Sequence, residues 1–371
     1  MMNRNEIEDV LGRLETKVDR MIRDIGGKSP HFADASGVYD DRNTDWWTSG
    51  FWPGILWLMH DMTGNEHYRQ AAWHWDETLE YWLAHPTDGI HHDVGFQFLQ
   101  TAVIKYMITG DEDAKRRGLN AANFLAGRYN PAGRFIRAWN GNMHGWAIID
   151  CMMNVSLLFW ASAVTGDPRY KHIAMSHADT AARVFVREDG SVNHIAVFDA
   201  ETGEFKEALG GQGYAADSAW SRGAAWALHG FAGAYRNTGE RRYLETAKRV
   251  AHFFLASLPE DKVPYWDFRL PSLEGEPRDT SAAAIAASGL LEIADAVPAY
   301  EKRLYEQGAH DMLRSLTERY ATWDRPDHQA ILVGATGNKP QGQYVDGSLI
   351  YGDYYYIEAF AKLNGWKRRV Y

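Results

Sequence analysis

Hydrophobic positions recur along most of the chain at helical spacing, in runs separated by short polar turns or by long loops. The first run is explicit: Ile7, Val10, Leu11, Leu14, Val18 and Met21 fall mostly three and four residues apart with charges between them, the pattern of an amphipathic helix. A short motif then recurs between apolar and amphipathic runs: Thr63-Gly64-Asn65-Glu66, Thr109-Gly110-Asp111-Glu112, Thr165-Gly166-Asp167-Pro168 and Thr238-Gly239-Glu240-Arg241. In each copy the Gly suits a left-handed C-cap, and the next residues bring the acidic or Pro chemistry of a helix N-terminus. Each copy therefore predicts the tight turn of an α-hairpin. The copies are unequally spaced because the return loops between hairpins differ in length.

Helices are predicted over residues 3–24, 52–62, 66–84, 94–108, 112–128, 147–163, 168–186, 221–237, 241–257, 281–294, 301–321 and 352–363. They make six hairpins if the first pairs with the last. Alternate helices are apolar and rich in small residues, as in the run from Thr280 to Leu291, while their partners carry the charges. This pattern predicts an all-α fold, a six-hairpin α/α toroid or (α/α)6 barrel, with the apolar helices inside. An open α-solenoid would show more regular repeats and polar capping ends. The long returns, about 26–51, 187–220, 258–279 and 322–350, are rich in Gly, Pro and aromatics; residues 191–198 read as a strand followed by a turn at 199–203. No linker or break in composition interrupts the chain, so a single domain over residues 1–371 is expected. Loops gathered at one mouth of a rigid ring are where a site is built.

The run Gly145-Trp-Ala-Ile-Ile-Asp150-Cys-Met-Met-Asn154 reads as the opening turns of a buried helix, with one carboxylate inside an apolar stretch. An isolated buried carboxylate raises its pKa, and a carboxylic acid with a raised pKa serves as a general acid at neutral pH. The alternative is an Asp that caps the helix or bonds a neighbouring backbone. Cys151 beside it reads as a small buried hydrophobe rather than a nucleophile, because no His adjoins it in sequence.

Composition narrows the partners. A net charge of −10 argues against a polyanion gripped on a broad basic surface, and so against nucleic acid, while leaving room for a small anionic substrate held by one or two local cations. One cysteine among 371 residues rules out an intrachain disulfide, which fits a reducing compartment and a cytoplasmic location. The first residues are polar and acidic rather than a secretory signal, and no run approaches the ~18 apolar residues of a membrane span. Fifteen Trp and nineteen Tyr exceed what a core needs; aromatic-lined clefts that stack on sugar rings use such residues, which brings carbohydrate forward.

Several constellations carry candidate chemistry. His91-His92-Asp93 begins an apolar helix, where Asp93 suits the N-cap and the helix dipole tends to keep it ionised. Two His and an Asp also raise a metal site, but no HExxH or CxxC partner exists, so no metal and no cofactor are expected. Asp93 and Asp150 stand near the starts of successive inner helices, so a ring brings both to one mouth, one as protonated acid and the other as charged stabiliser. Asp217-Ser-Ala-Trp220-Ser-Arg222-Gly-Ala-Ala-Trp226 opens a third inner helix. There Trp226 lies one turn from the Arg222 guanidinium, whose fork suits the carboxylate of an anionic sugar. A surface ion pair beside core Trp is the other reading. Trp46-Trp47 and Trp52 form a further aromatic cluster, of site or of core. Asp353 is a cap or a cavity residue. The segment from Gly334 to Pro340 is too short for a phosphate loop, and Pro340 stands where Ser or Thr belongs.

Taken in order, Asn43-Thr-Asp45 with Gly50-Phe-Trp52, His91-His-Asp-Val-Gly-Phe96, Ile148-Ile-Asp150-Cys151, Trp220-Ser-Arg222-Gly, Tyr265-Trp-Asp-Phe268, Arg278-Asp-Thr-Ser281 and Gly352-Asp-Tyr-Tyr-Tyr356 resemble the unsaturated glucuronyl hydrolases of glycoside hydrolase family 88. The resemblance runs along almost the whole chain. It implies a catalytic six-hairpin α/α barrel without metal, acting on oligosaccharides that end in a Δ4,5-unsaturated uronic acid made by polysaccharide lyases. It implies hydration of the vinyl ether, after which the hemiketal opens and sheds the sugar. Asp150 then matches the general acid/base and Asp93 the second essential carboxylate. Trp47, His194, Gln212, Trp220, Arg222 and Trp226 match positions lining the substrate site. Where family members can carry a Tyr after the fifth hairpin, this chain has the segment with Thr336, and Trp46 is an additional Trp. The rival readings are an unsaturated rhamnogalacturonyl hydrolase, a sugar epimerase using His194 or the His91–His92 pair as bases, and a non-catalytic glycan-binding barrel.

Overall fold

Each of the four Thr-Gly motifs is a hairpin turn. Gly64, Gly110, Gly166 and Gly239 end their helices in the left-handed region, at φ of +74°, +74°, +72° and +71°. Asp111 and Asp167 then accept backbone N–H bonds and cap the helices that follow. In the computed structural model, which describes residues 1–371, these hairpins close into an (α/α)6 barrel.

The inner ring runs through helices Phe51–Thr63, Val94–Thr109, Cys151–Thr165, Ser221–Thr238, Thr280–Ala296 and Ile350–Leu363. The last of these packs against both Phe51–Thr63 and Thr280–Ala296, which closes the ring, and the first helix, Arg4–Ile25, packs on it from outside. Inner helices are buried almost end to end; every residue from Ser221 to Ala234 and from Thr280 to Ala294 lacks significant exposure. Outer helices such as Arg241–Ala256 bury one stripe, Tyr243, Leu244, Ala247, Val250, Ala251 and Phe254, and turn their charges to water. No helix is long and apolar enough to cross a membrane.

Three elements depart from the prediction. The predicted helix over 66–84 is two helices, Glu66–Ala72 and Trp75–Ala84, with a break at Trp73 and His74. The inner helix beginning at Val94 carries a π-helical segment, Leu99–Val103, between its α-helical ends. The third departure shapes the site. The predicted helix over 147–163 begins four residues late: Trp146–Ile148 is a strand, Asp150 is the N-cap and the helix starts at Cys151. Trp146–Ile148 pairs antiparallel with Ile195–Phe198, which pairs in turn with Phe205–Leu209. A short apolar run buried on all sides carries no period that separates strand from helix. The small sheet lies at the mouth of the barrel, and the Ile149 N–H donates to the His194 carbonyl at 3.1 Å, fixing the loop residue beside Asp150.

Candidate active site

The mouth of the barrel opens into a cavity of about 470 Å³, walled by Trp46, Trp47, Tyr344 and Tyr351 on its aromatic side and floored by Asp93, Asp150, Gln212 and Arg222. Asp93 is the N-cap of Val94–Phe98 and Asp150 the N-cap of Cys151–Asn154, so two successive inner helices present one carboxyl each. Neither side chain makes a capping bond to its own helix. Both are free to face the cavity.

Burial dominates their electrostatics. Asp150 is 8% exposed and its pKa is pushed up to about 7, burial outweighing the opposing field of Arg222. Asp93 is 7% exposed and pushed up to about 8, by burial first and by Asp150 second, against a lowering hydrogen bond from Asn154. The expectation that a helix dipole keeps Asp93 ionised is therefore corrected: desolvation plus a neighbouring carboxyl outweigh the dipole of the helix it caps. The two groups titrate as a coupled pair.

His194 stands beside the pair. Its Nδ1 accepts the backbone N–H of Gln212 at 2.9 Å, which leaves the proton on Nε2, 3.7 Å from Asp150 Oδ2. Burial holds its pKa down near 3, so the ring is neutral. The turn that delivers the Gln212 N–H needs glycine at 211: φ is +59°, and a Cβ there would sit 2.0 Å from His194 Nδ1. His194 Nε2 and Asp150 Oδ2 are both buried without a hydrogen-bond partner in the protein.

Arg222 is held more tightly than a free carboxylate clamp. Its Nη1 donates to Asp279 Oδ2 and to the Thr336 carbonyl, both at 2.6 Å, and its Nη2 donates to the Gly337 carbonyl at 2.6 Å and to Gln212 Oε1. The guanidinium lies 4.5 Å from the Trp220 ring and 5.5 Å from that of Tyr351. Trp226, one turn along the helix, does not meet the guanidinium; it is fully buried and packs on Phe96 at 5.1 Å and Tyr355 at 5.4 Å. The side chain of Arg222 leans toward its own helix N-terminus, away from position 226.

Of the residues singled out in the sequence, Trp47, Asp93, Asp150, Gln212 and Arg222 line the cavity. His194, Trp220 and Trp226 form the layer behind it; Trp220 packs on His194 with centroids 4.3 Å apart. Asp353 accepts from Tyr39 Oη and from the backbone N–H groups of Ile331 and Leu332, each at 2.9 Å, and so pins a loop instead of lining the cavity. Cys151 is wholly buried, and burial raises its thiol pKa. The structure adds Tyr351, Tyr344, Trp139 and Asn338 to the wall and Asp279 and Asn154 behind it. Tyr351 directly precedes the Gly352-Asp-Tyr-Tyr motif and Asn154 ends the Asp150 run, which were the available signals.

One group has the spacing of metal ligands. His91, His92 and Asp93 place ligand atoms within 4.8 Å of one another, and burial keeps both imidazoles neutral, the form that binds metal. Nothing else in the cavity completes a closed tetrahedral set.

Comparison with known proteins decides the family. The sequence model for Glycosyl Hydrolase Family 88 matches residues 19–368. The chain belongs to glycoside hydrolase family 88. It is 38% identical over 354 residues to the unsaturated glucuronyl hydrolase of Bacillus sp. (strain GL1), covering 93% of each chain. It is 34% identical over 370 residues to the unsaturated chondroitin disaccharide hydrolase of Streptococcus agalactiae serotype III (strain NEM316), covering 98% of this chain and 92% of that one. The crystal structure of the Bacillus sp. GL1 enzyme, described as responsible for the degradation of glycosaminoglycan, superposes with a TM-score of 0.94 at 36% identity over 97% of each chain.

Proposed function

We propose that the enzyme hydrates the C4–C5 double bond of a Δ4,5-unsaturated glucuronic acid at the non-reducing end of lyase-generated oligosaccharides. The observation that carries this reading is the pair of buried carboxyls, Asp93 and Asp150, raised toward neutral pH at one mouth of the barrel. Protonated Asp150 delivers its proton to C4 of the vinyl ether. Positive charge then develops over C5 and the ring oxygen beside the Asp93 carboxyl, whose oxygens stabilise it. Water adds at C5 and gives its proton back to Asp150, which restores the acid. The C5 hemiketal opens by breaking the bond from C5 to the ring oxygen, leaving a ketone at C5 and a hemiacetal at C1 that releases the aglycone sugar. A pKa near 7 suits one group to both proton transfers.

Trp47 and Tyr351 offer ring faces to the sugar, while Gln212 and Arg222 present polar groups toward its carboxylate. Arg222 shares its charge with Asp279, so we assign it a positioning share in binding rather than a solitary clamp. His194, Trp220 and Trp226 support these groups from behind. Residues 1–371 are read as one catalytic domain, in the cytoplasm, where a free buried Cys151 is at ease.

Unsaturated uronates absorb in the near ultraviolet and hydration removes that absorbance. The test is a panel of lyase-made disaccharides from unsulfated and sulfated chondroitin, hyaluronan, heparin, gellan and rhamnogalacturonan. Loss of absorbance on a glucuronyl member is expected. Loss on the rhamnogalacturonan member alone moves the activity to that substrate class, and no loss on any member with folded protein sinks the hydration reading.

A further inference from the structure

We propose that Arg42 is a positioning residue for the second sugar of the substrate: it seats Tyr344 and Trp46 as aromatic faces of the cavity rim, and so sets KM for substrates that carry a second ring. This rests on the hydration reading above and extends it to the sugar that the reaction releases.

The cavity has an inner and an outer part. Asp93, Asp150, Arg222 and Tyr351 are buried, whereas Trp46 and Tyr344 are half-exposed and Gln343 beside them is exposed. The unsaturated ring has to reach Asp150 to take its proton. The sugar attached to it therefore emerges through the half-exposed rim, where rings suit stacking on a sugar face.

Arg42 holds two of these rings at once. Its guanidinium lies 5.5 Å from the Trp46 ring and 5.3 Å from that of Tyr344. Its Nη2 donates to the Tyr344 hydroxyl at 3.0 Å and its Nε donates to Asp40 Oδ2 at 2.7 Å. The other oxygen of Asp40 accepts the backbone N–H groups of His31 and Phe32 at 2.8 and 2.9 Å. Those residues lead into the strand Phe32–Ala33, paired with Ser348–Leu349 at the start of the last inner helix. A planar fork that bonds a carboxylate with one nitrogen and a phenol with another is specific to arginine; the ammonium of a lysine is a single point.

Tyr344 is also held in a backbone conformation that tyrosine rarely adopts, at φ of +55°. The left-handed region suits Gly or Asn and is strained for a bulky side chain. The strain is sustained from the inner site: the Tyr344 carbonyl accepts the Gly337 N–H at 2.7 Å, and the Gly337 carbonyl accepts from Arg222 Nη2. A Cβ at 337 would stand 2.7 Å from Tyr344 Cβ, so glycine there admits the ring. His31 meets the Tyr344 ring edge-on, with centroids 4.5 Å apart. A strained residue whose ring walls the cavity, tied at its backbone to Arg222 and at its hydroxyl to Arg42, is one whose side chain carries a function.

Arg42→Met keeps the apolar stem and removes the fork. On a disaccharide that the wild type turns over, we expect KM to rise roughly tenfold, the worth of one aromatic contact, with kcat within about twofold of wild type. The methyl glycoside of the same unsaturated uronate has no second ring, and its kcat/KM should be equal in the two proteins. Tyr344→Phe keeps the ring and loses only the acceptor of the Arg42 bond, so it should raise KM for the disaccharide in the same direction. Arg42→Met should then add less on the Tyr344→Phe background than it does alone. A wild-type KM for Arg42→Met on the disaccharide overturns the proposal. So does an equal loss on both substrates with a lowered melting temperature, the signature of a merely structural role, and so do strictly additive effects of the two substitutions. Absence of turnover by the wild-type enzyme on the whole disaccharide panel would instead sink the underlying hydration reading.

Discussion

Replacing Asp150 by Asn should abolish turnover and, at the same time, stabilise the fold in a pH-dependent way. In the folded state the carboxyl has a pKa of about 7 against an ordinary 3.8, so the folded protein binds this proton more tightly than the unfolded chain does. Stability contributed by the group is present below about pH 4 and is lost as pH rises toward 8. At about 1.4 kcal/mol per pH unit, burying the charge costs about 4 kcal/mol at pH 8 but only about 2 kcal/mol at pH 5. Asparagine has the same shape and no charge to bury. With an unfolding entropy of about 0.8 kcal/mol/K for a chain of this length, the melting temperature should rise by about 5 °C at pH 8 and about 2 °C at pH 5. Calorimetric scans of both proteins at the two pH values read the difference, and ultraviolet assays on an unsaturated disaccharide read the activity. Equal shifts at both pH values would show that Asp150 is not a buried, proton-holding carboxyl. Retained turnover would remove it from the acid/base role.

Arg222→Ala leaves Asp279 buried without its counter-charge, so stability should drop by about 3–5 kcal/mol as well as binding; an unchanged melting temperature would mean that the ion pair contributes nothing net. Gly211→Ala should lower kcat without unfolding the barrel, because the new Cβ collides with His194 Nδ1 and breaks the Gln212 contact that sets its tautomer; wild-type kinetics would refute that link. Zn2+ at low concentration should inhibit by engaging His91, His92 and Asp93, whereas a chelator should leave turnover unchanged; loss of activity on chelation would require a metal in the reaction.

The barrel was legible because its information is local. The Thr-Gly turns, the apolar inner runs and the charged outer stripes each span a few residues; all four turns carry a left-handed glycine, and two are followed by an Asp cap. The site was legible in part. Asp93 and Asp150 could be placed at one mouth because both lie near the starts of neighbouring inner helices. The strand Trp146–Ile148 was not legible, because its pairing partner Ile195–Phe198 lies beyond a whole outer helix. Nor was the state of Arg222, whose partners Asp279, Thr336 and Gly337 come from two other return loops.

The same distinction explains why the carboxyl pair needs the ring at all. Either carboxyl alone, at the start of a short helix, would be a solvated cap with an ordinary pKa. Burial follows from closure: in the ring Asp93 and Asp150 are 7% and 8% exposed, beside the return loops that carry His194 and that Arg222 ties together through Asp279, Thr336 and Gly337. Once both are desolvated side by side, they cannot both ionise without cost, and a proton is retained near neutral pH. What remains is to decide which oxygen holds it. Burial and the neighbouring carboxyl set the order: Asp93, raised further by Asp150, is pushed up to about 8 and Asp150 to about 7, and the hydrogen bond from Asn154 to Asp93 narrows that gap without reversing it.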